Sequence, residues 1–309
     1  MPIFADAGLD SALFDLADRQ WELDGYRFNG PADLATIVAG GVVYTPGEIR
    51  QQDQVDPRGE SAWFGRDYAS PGEREFSLIV TDRYYHTDIR PTMAELAAAW
   101  RPAYVHTPGR AGLLRWRDGD KVYREYGRPR GLTVAPLPMT QVTHRLVTAH
   151  WQSRDSLAFE DAEQSISLDL VDESGSTGLL FPAPFPWSFG TATQSQRSSI
   201  AYVESPTATP MRIVVRGPQV GTATNLRLWA PGWELDFGTL ALASGEVLTV
   251  DTLDRTAMVG SRSVAGSLQR GSSLSALLEP GSTEFHFTAS DLSATTTASV
   301  YWRNTAPIF

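Results

Sequence analysis

Near the end of the chain, within residues 234–303, hydrophobic residues recur with a period of two. Three runs show this alternation, and the apolar residues that share a face in them are Leu248 with Val250, Phe285 with Phe287, and Ala298 with Val300 and Trp302. Because successive side chains of a strand point to opposite faces of a sheet, the pattern predicts half-buried antiparallel strands. Turn-forming pairs such as Ser244-Gly245 and Pro280-Gly281 separate the runs, so we expect a β-sandwich here.

The length of the chain sets an expectation for its domains. At 309 residues it exceeds the ~250 residues that a single hydrophobic core usually reaches, so two domains are expected. The acidic, polar stretch 153–163 is the predicted boundary, which gives a first domain of residues 1–163 and a second of residues 164–309. The run 165–171 has two interpretations: it is either the last strand of the first domain or a crossover into the second.

Composition excludes several classes of function. The chain has no cysteine, which removes disulfides, thiolate catalysis and cysteine–zinc sites. Its net charge of −10 argues against nonspecific nucleic-acid binding, which needs a basic surface, although residues 110–130 are locally rich in arginine. No run of ~18 apolar residues is present, so we expect no transmembrane helix. The N-terminus carries acids early and lacks a basic segment, which predicts no cleaved signal peptide.

The first half of the chain is also predicted to be mainly β, with one helix. The helix is expected over residues 91–101, where Pro91 suits the first turn and Thr92 and Glu95 have the spacing of a capping box. Its apolar stripe consists of Met93, Leu96, Ala97 and Trp100. The strands predicted around it cover residues 21–28 as a strand or hairpin about Gly25, then 73–81, a hairpin of 113–116 and 121–126 about Asp118-Gly119, a third strand 132–135, and 142–151.

Two polar regions of the first half do not fit a strand or a helix. Residues 1–19 mix apolar and acidic residues and are predicted to form either a short helix or a docking arm. Residues 45–71 are long, polar and rich in turn signals, and loops of this length are usually functional or disordered. The second region is therefore either a mobile loop or a loop that orders against a partner, with Trp63, Phe64 and Arg66 as candidate interface anchors.

Residue types that carry catalysis or bind metals are scattered. His144 and His150 share a predicted strand face but lie about 20 Å apart at ~3.3 Å per residue, too far to share an ion. Asp251 and Asp254 resemble an acid pair of the kind that glycosidases use, yet acids before a turn are common. We therefore expect no catalytic, metal or cofactor site in this chain.

Three tryptophans suggest a different kind of site. Trp187, Trp229 and Trp233 are candidates for stacking on a sugar, because the C–H faces of sugars are apolar. The alternative is that these tryptophans pack within the sandwich or at its interfaces.

Several motifs together resemble those of the distal tail protein (Dit) family of long-tailed (siphovirus) bacteriophages, a minor tail protein. In the second half they are residues 213–218, 240–245, 245–252, 277–282, 284–287 and 298–303. In the first half they are the helix 92–100, the hairpin about Gly119, and the strand 142–151 followed by residues 153–155.

The resemblance implies a mainly β fold with two parts. These are an N-terminal β-barrel-like domain with one α-helix, which closes a hexameric ring below the tail tube, and a C-terminal galectin-like antiparallel β-sandwich that projects outward. It implies no catalytic, cofactor-binding or metal-binding residues. The implied partners are other copies of the chain, the tail tube protein, the tape measure protein and the baseplate hub, with DNA only in transit through the channel and no membrane insertion. The implied location is the distal end of the virion tail, after assembly in the host cytoplasm.

A structural ring protein of the tail tip is therefore the leading hypothesis. Because a ring threaded by DNA should not bind phosphates, Arg115, Arg117 and Arg124 are expected to face protein rather than the channel. Two alternatives remain open: a carbohydrate-binding host-adhesion module that uses Trp187, Trp229 or Trp233, and a glycoside hydrolase that uses Asp251.

Overall fold

The chain folds mainly into antiparallel β-sheets with a single α-helix among the described residues, as predicted. The computed structural model describes residues 16–55, 62–65, 67–81, 89–135, 144–170, 198–291 and 293–306. The chain divides into two compact units. The first extends to Ala162 and includes Ala306, and the second spans Glu163–Thr305.

The first unit is built on one large antiparallel sheet. Its elements are β1 (Trp21–Leu23), β2 (Tyr26–Phe28), β3 (Ala35–Thr45), β4 (Ile49–Arg50), β5 (Gln54–Val55), β6 (Ala62–Trp63), β7 (Tyr68–Ala69), β8 (Glu73–Thr81), α1 (Arg90–Ala99), a 3₁₀ turn (Ala103–His106), β9 (Gly112–Asp118), β10 (Lys121–Val134), β11 (His144–Ser153) and β12 (Ala158–Glu160). The main sheet runs in the order β2-β1-β9-β10-β11-β8-β3, and β12 pairs with β10. The predicted hairpin about Gly25 is thus β1–β2.

The helix α1 packs on one face of this sheet through the apolar stripe that the sequence predicts. Leu96 and Trp100 are fully buried, and Trp100 makes edge contacts with Phe28 and Phe76, at ring-centroid distances of 5.9 and 6.0 Å. The indole N–H of Trp100 donates to the backbone carbonyl of His150 at 3.1 Å, which ties the helix to β11. The alternating strand β8 supplies the facing core through Phe76 and its neighbours Leu78 and Val80.

Two details of the sequence prediction are wrong. The helix begins after Ile89, which caps it without a side-chain hydrogen bond, and Thr92 is buried inside the first turn, so the predicted capping box does not form. Residues 132–134 continue β10 as one long strand, because a β-bulge between Pro129 and Leu132 keeps the pairing with β11 where the sequence suggests a break.

Buried ion pairs lie on both faces of the main sheet. On one face the guanidinium of Arg74 lies 2.8 Å from the carboxylate of Glu125, which also accepts hydrogen bonds from Trp151 at 3.1 Å and from Ser153. The Arg74 side chain lies over the ring of Trp116 as well, 4.7 Å from its centroid.

The opposite face holds a second buried network. Arg115 lies 3.2 Å from Glu22 and 2.7 Å from Asp161, and Arg124 donates to Asp161 at 2.7 Å. Burial alone would raise the pKa of Asp161, but the two arginines outweigh it and hold that pKa below its ordinary value. Arg117 donates to the backbone carbonyls of Leu16 and Gly119. These three arginines therefore contact protein groups of their own chain.

The second unit contains two antiparallel sheets. Its strands are β13 (Gln164–Asp169), β14 (Ser198–Val203), β15 (Met211–Arg216), β16 (Thr222–Ala230), β17 (Trp233–Asp236), β18 (Leu242–Ala243), β19 (Val247–Asp251), β20 (Thr256–Val259), β21 (Arg262–Ser263), β22 (Gly281–Ser290), β23 (Thr297–Trp302) and β24 (Thr305–Ala306), whose last residue belongs to the first unit, and a 3₁₀ turn covers Ala265–Ser267. One sheet has the order β13-β23-β15-β19-β20-β21, and the other has the order β14-β22-β16-β17, with β18 against β16. The run 165–171 contributes β13 to the first of these sheets.

The predicted alternation fixes the core between the two sheets. The residues expected on the inner faces are all buried: Leu248, Val250, Phe285, Phe287, Ala298, Val300 and Trp302. They pack with inner residues of β15 and β16 in one cluster. The arrangement is that of a β-sandwich, as the sequence predicts.

The turn that follows β22 is closed by the carboxylate of Asp291. It accepts hydrogen bonds of 2.8–3.0 Å from the backbone N–H groups of Ser293, Thr295 and Thr296 and from the hydroxyls of Ser293 and Thr296. Burial alone would raise the pKa of Asp291, but these hydrogen bonds outweigh it and lower the pKa from 3.8 to about 2.

Substitution of Glu125 tests the buried pair. We expect Glu125→Gln to lower the free energy of unfolding by about 3–5 kcal/mol, because Arg74 then stays buried without a counter-charge. Urea unfolding measures the loss. Glu75→Gln, at an exposed position of β8, is the matched control and should change stability by less than about 0.5 kcal/mol. Equal effects of the two substitutions would contradict the role of the pair.

The turn at Asp291 generates a pH-dependent prediction. Since its folded pKa lies below the unfolded value, the carboxylate stabilises the fold above about pH 4, and the stabilisation is lost as pH falls towards 2. Asp291→Asn should therefore cost about 1 kcal/mol at pH 6 and progressively less below pH 4. Urea unfolding at several pH values measures this, with Asp120→Asn, an exposed position, as control. A cost that stays constant down to pH 2 would contradict the assignment.

Candidate functional site

The polar region between β3 and β8 forms a paired arm. Within residues 46–70, which we call the arm, β4 pairs with β7 and β5 pairs with β6, so that Ile49 lies opposite Ala69 and Gln54 lies opposite Trp63. The prediction of a loop for this region is therefore wrong, because its backbone forms two short antiparallel strand pairs. The turn-rich, polar sequence hides the pairing, because neither short strand pair carries the apolar alternation by which strands are recognised.

Two glycines allow the arm to close on itself. A Cβ atom at Gly65 would lie 2.1 Å from the carbonyl oxygen of Gln52, and one at Gly47 would lie 2.1 Å from that of Ser70. The backbone N–H of Gly65 donates to the Asp53 carboxylate at 3.0 Å. A side chain at either glycine would force the two sides of the arm apart.

The described side chains of the arm are mostly exposed. Every residue from 48 to 54 is exposed, and the side chain of Phe64 is 87% exposed. Ile49, which the sequence prediction missed, is 58% exposed, and the only signal for it was one apolar residue in a polar run. Of the other predicted anchors, Trp63 lies in β6, and its side chain and all of Arg66 lie outside the described residues.

An arm of this kind needs a surface to pack against. Two-stranded ribbons are at best marginally stable in water unless a hydrophobic face is buried. Unpaired strand edges and an exposed aromatic ring are the features by which one chain adds to another. The geometry of the arm therefore suits protein–protein contact.

The two described tryptophans among the predicted sugar-stacking residues, Trp229 and Trp233, lie on different faces. Trp229 lies on the outer face of the sandwich, where it stacks on His286 at 5.2 Å and lies 5.0 Å below the guanidinium of Arg227. Trp233 points to the core and makes an edge contact with Phe285. Trp187 lies outside the described residues. A sugar that stacks on Trp229 would have to compete with His286 and Arg227, and the carbohydrate-binding alternative stays a prediction.

The candidate acids and histidines have structural partners. Asp251 is buried and accepts backbone hydrogen bonds from Leu253 at 2.9 Å and from Asp254 at 3.0 Å, which closes the turn after β19. The ring of His150 lies 2.9 Å from the carboxylate of Glu73. Among the described residues, no group of three or more His, Asp or Glu side chains is placed to hold a metal ion. No helix within the described ranges is long and apolar enough to cross a membrane.

Comparison with known proteins gives matches of structure alone. No family model and no curated protein matches the sequence. The crystal structure of the phage SPP1 Dit protein (gp 19.1), described as a paradigm of the hub adsorption apparatus in phages that infect Gram-positive bacteria, matches with a TM-score of 0.60 and 12% identity, over 94% of this chain and 100% of that chain. Two structures of the phage P2 baseplate in its activated conformation, with Ca and with Sr, each match with a TM-score of 0.48 and 10% identity, over 95% of this chain and 100% of the matched chain.

The match to the SPP1 protein shows a shared fold over nearly the whole chain. The resemblance to the distal tail protein family is thereby confirmed at the level of fold, and both units of the chain take part in it.

The close approach at Gly65 predicts how the arm responds to substitution. We expect Gly65→Ala to increase the rate of trypsin cleavage after Arg50 by several-fold, because the added methyl group separates the paired strands. The midpoint of urea unfolding should not change, since no described residue of the arm belongs to a hydrophobic core. Gly266→Ala is the control, because a Cβ atom there meets nothing within 4 Å. An unchanged cleavage rate in the Gly65 variant would show that the arm is not closed in this way.

Proposed function

We propose that the chain is a structural component of a phage tail tip, where it forms a hexameric ring that joins the tail tube to the baseplate hub and leaves a channel for DNA. The observation that carries this proposal is the likeness in fold to the SPP1 distal tail protein over 94% of this chain. In this proposal residues 1–163 form the ring and residues 164–309 form a galectin-like sandwich that faces outward.

The exposed arm provides the kind of surface that contacts between copies in a ring require. A closed ring needs a head-to-tail surface in which one copy presents a feature that the next copy receives. The arm offers exposed strand edges and the ring of Phe64, and a neighbouring copy would bury the apolar surface that the arm leaves in water.

The charge distribution supports a channel through which DNA passes. Six copies of a chain with net charge −10 carry about −60 (6 × −10), which repels phosphate at short range. Arg115 and Arg124, in the arginine-rich run, are buried against Glu22 and Asp161 and are not offered to a nucleic acid.

The same proposal assigns partners and location. The partners are other copies of the chain, the tail tube protein, the tape measure protein and the baseplate hub. The location is the distal end of the virion tail, after assembly in the host cytoplasm. The role is mechanical, and no bond-making step is assigned to any residue.

Substitution of Phe64 tests the ring. We expect Phe64→Asp to weaken self-association by about 30-fold or more, the effect of losing one interface hot spot of about 2 kcal/mol. Sedimentation velocity and negative-stain micrographs over a range of concentrations measure the assembly. Val220→Asp is the matched control, because Val220 is 74% exposed but lies in the second unit, and it should leave assembly intact.

Two results would count against this proposal. One is a wild-type chain that stays monomeric at every concentration, alone and with its tail tube partner. The other is a ring that forms equally well in the Phe64 and Val220 variants, which would remove the arm from the contact.

A further inference from the structure

The first unit contains a cavity whose lining is dominated by arginine. The cavity has a volume of about 300 Å³ and lies between the end of β11, the middle of β10 and the loop that precedes β9. Its lining includes Arg110, Arg128, Arg130 and Arg154, together with Gly127 and Ser153. We call this cavity the arginine pocket. The mechanical role proposed above does not use it.

Arg128 builds one wall of the pocket. Its guanidinium donates to three backbone carbonyls, those of Val105 at 3.1 Å, Thr107 at 2.6 Å and Arg110 at 2.6 Å. These bonds hold the loop before β9 against the sheet. The loop is thereby fixed in the position that brings Arg110 to the pocket.

The second wall is made by the pairing of β10 with β11. Gly127 lies opposite Ser153, and a Cβ atom at Gly127 would approach the carbonyl oxygen of Gln152 to 2.3 Å, so glycine keeps the strands close here. Arg130 falls in the β-bulge between Pro129 and Leu132, outside the regular register, and is exposed. Bulges re-aim side chains in this way and often lie beside binding sites.

Two of the four arginines of the pocket have no side-chain partner within the described chain. In the part of the chain that the structure describes, the guanidinium groups of Arg110 and Arg130 have no hydrogen-bond or ion-pair partner. Arg154 has the carboxylate of Asp155 at 4.0 Å. Four arginines thus line a pocket that is lined by no acidic residue among those described, in a chain that is acidic overall. Since fields fall off within ~10 Å at 0.1 M salt, the pocket acts locally despite the net negative charge.

The lining indicates the chemistry of the ligand. Among the described residues that line the pocket there is no aromatic and no acidic side chain, and Ala111 is the only aliphatic one. Guanidinium groups form bidentate hydrogen bonds with carboxylates and phosphates. Single-stranded nucleic acids are usually held by aromatic stacking beside a long basic groove, and duplex DNA needs an extended basic surface. A compact pocket of arginines without aromatic residues fits the carboxylates of an acidic peptide better than either.

We propose that the arginine pocket binds a short acidic segment of a protein, whose carboxylates pair with Arg110 and Arg130. The segment comes from a second copy of this chain or from another tail protein, and only this choice of source rests on the assembly role proposed above. Binding of a peptide by the isolated chain does not require a ring, so the two proposals can fail separately.

Fluorescence anisotropy with a labelled hexaglutamate peptide at 0.1 M salt tests the pocket. We expect saturable binding that weakens at least tenfold in the double variant Arg110→Gln/Arg130→Gln. The matched control is Arg101→Gln/Arg262→Gln, which removes the same charge from two exposed positions outside the pocket and should bind as the wild type does. Circular dichroism shows whether each variant is folded.

The remaining outcomes separate the sources and the alternatives. If ring formation also fails in the Arg110/Arg130 variant but not in the control, the segment belongs to a second copy; if rings form normally, it belongs to another tail protein. No binding of hexaglutamate by the wild type would overturn the proposal, as would equal weakening in both double variants. Tighter binding of a six-nucleotide DNA, or displacement of the peptide by an equal concentration of inorganic phosphate, would replace the acidic segment with a different ligand.

Discussion

The first unit depends on the buried pair of Arg74 and Glu125. Their charges lie on strands that are not neighbours in sequence, β8 and β10, and β11 between them adds hydrogen bonds to the same carboxylate from Trp151 and Ser153. A slip of one residue in any of the three strands would turn one of these groups to the opposite face. Because an unpaired buried charge costs several kcal/mol, the pair selects one register for the sheet.

The buried network on the opposite face of the sheet also favours one register of the strands. Arg115 and Arg124 are directly opposite each other on β9 and β10, and two like charges at that spacing would repel without carboxylates beside them. Glu22 from β1 and Asp161 from the segment after β12 supply those carboxylates. The strands at one side of the sheet are therefore joined to its centre by charge as well as by backbone hydrogen bonds.

The sequence predicts the parts of the fold that follow from a local period. Alternation over 247–251, 281–290 and 297–302 gives the sandwich core, and the stripe ending at Trp100 gives the helix, because each pattern reports one buried face. The sequence does not predict contacts between residues that lie far apart in the chain. In the sequence, Arg128 is one of several basic residues with no assigned role. In the fold, it donates to three backbone carbonyls within residues 105–110.

For a related reason, the strand pairing of the arm is not predicted from the sequence. Its strands are only two residues long and its described residues 48–54 are exposed, so the sequence there carries no alternation of buried and exposed positions by which a strand is recognised. The sequence predicts Phe64 as an anchor but not Ile49. The exposure of both side chains makes them suited to a partner, since their apolar area is still available to be covered.

The described arginines of the first unit fall into two groups, those with partners among the described residues and those without. Those that fix the fold, such as Arg74 and Arg115, are buried beside carboxylates, and Arg128 donates to three backbone carbonyls. Arg110 and Arg130 fix nothing within the described chain, yet the fold brings them together at one pocket. Exposed cations that the fold gathers at one pocket are suited to bind an anionic group from outside the chain. Burial distinguishes the arginines that stabilise the fold from the exposed Arg110 and Arg130. Amino-acid composition cannot make this distinction, because it counts every arginine in the same way.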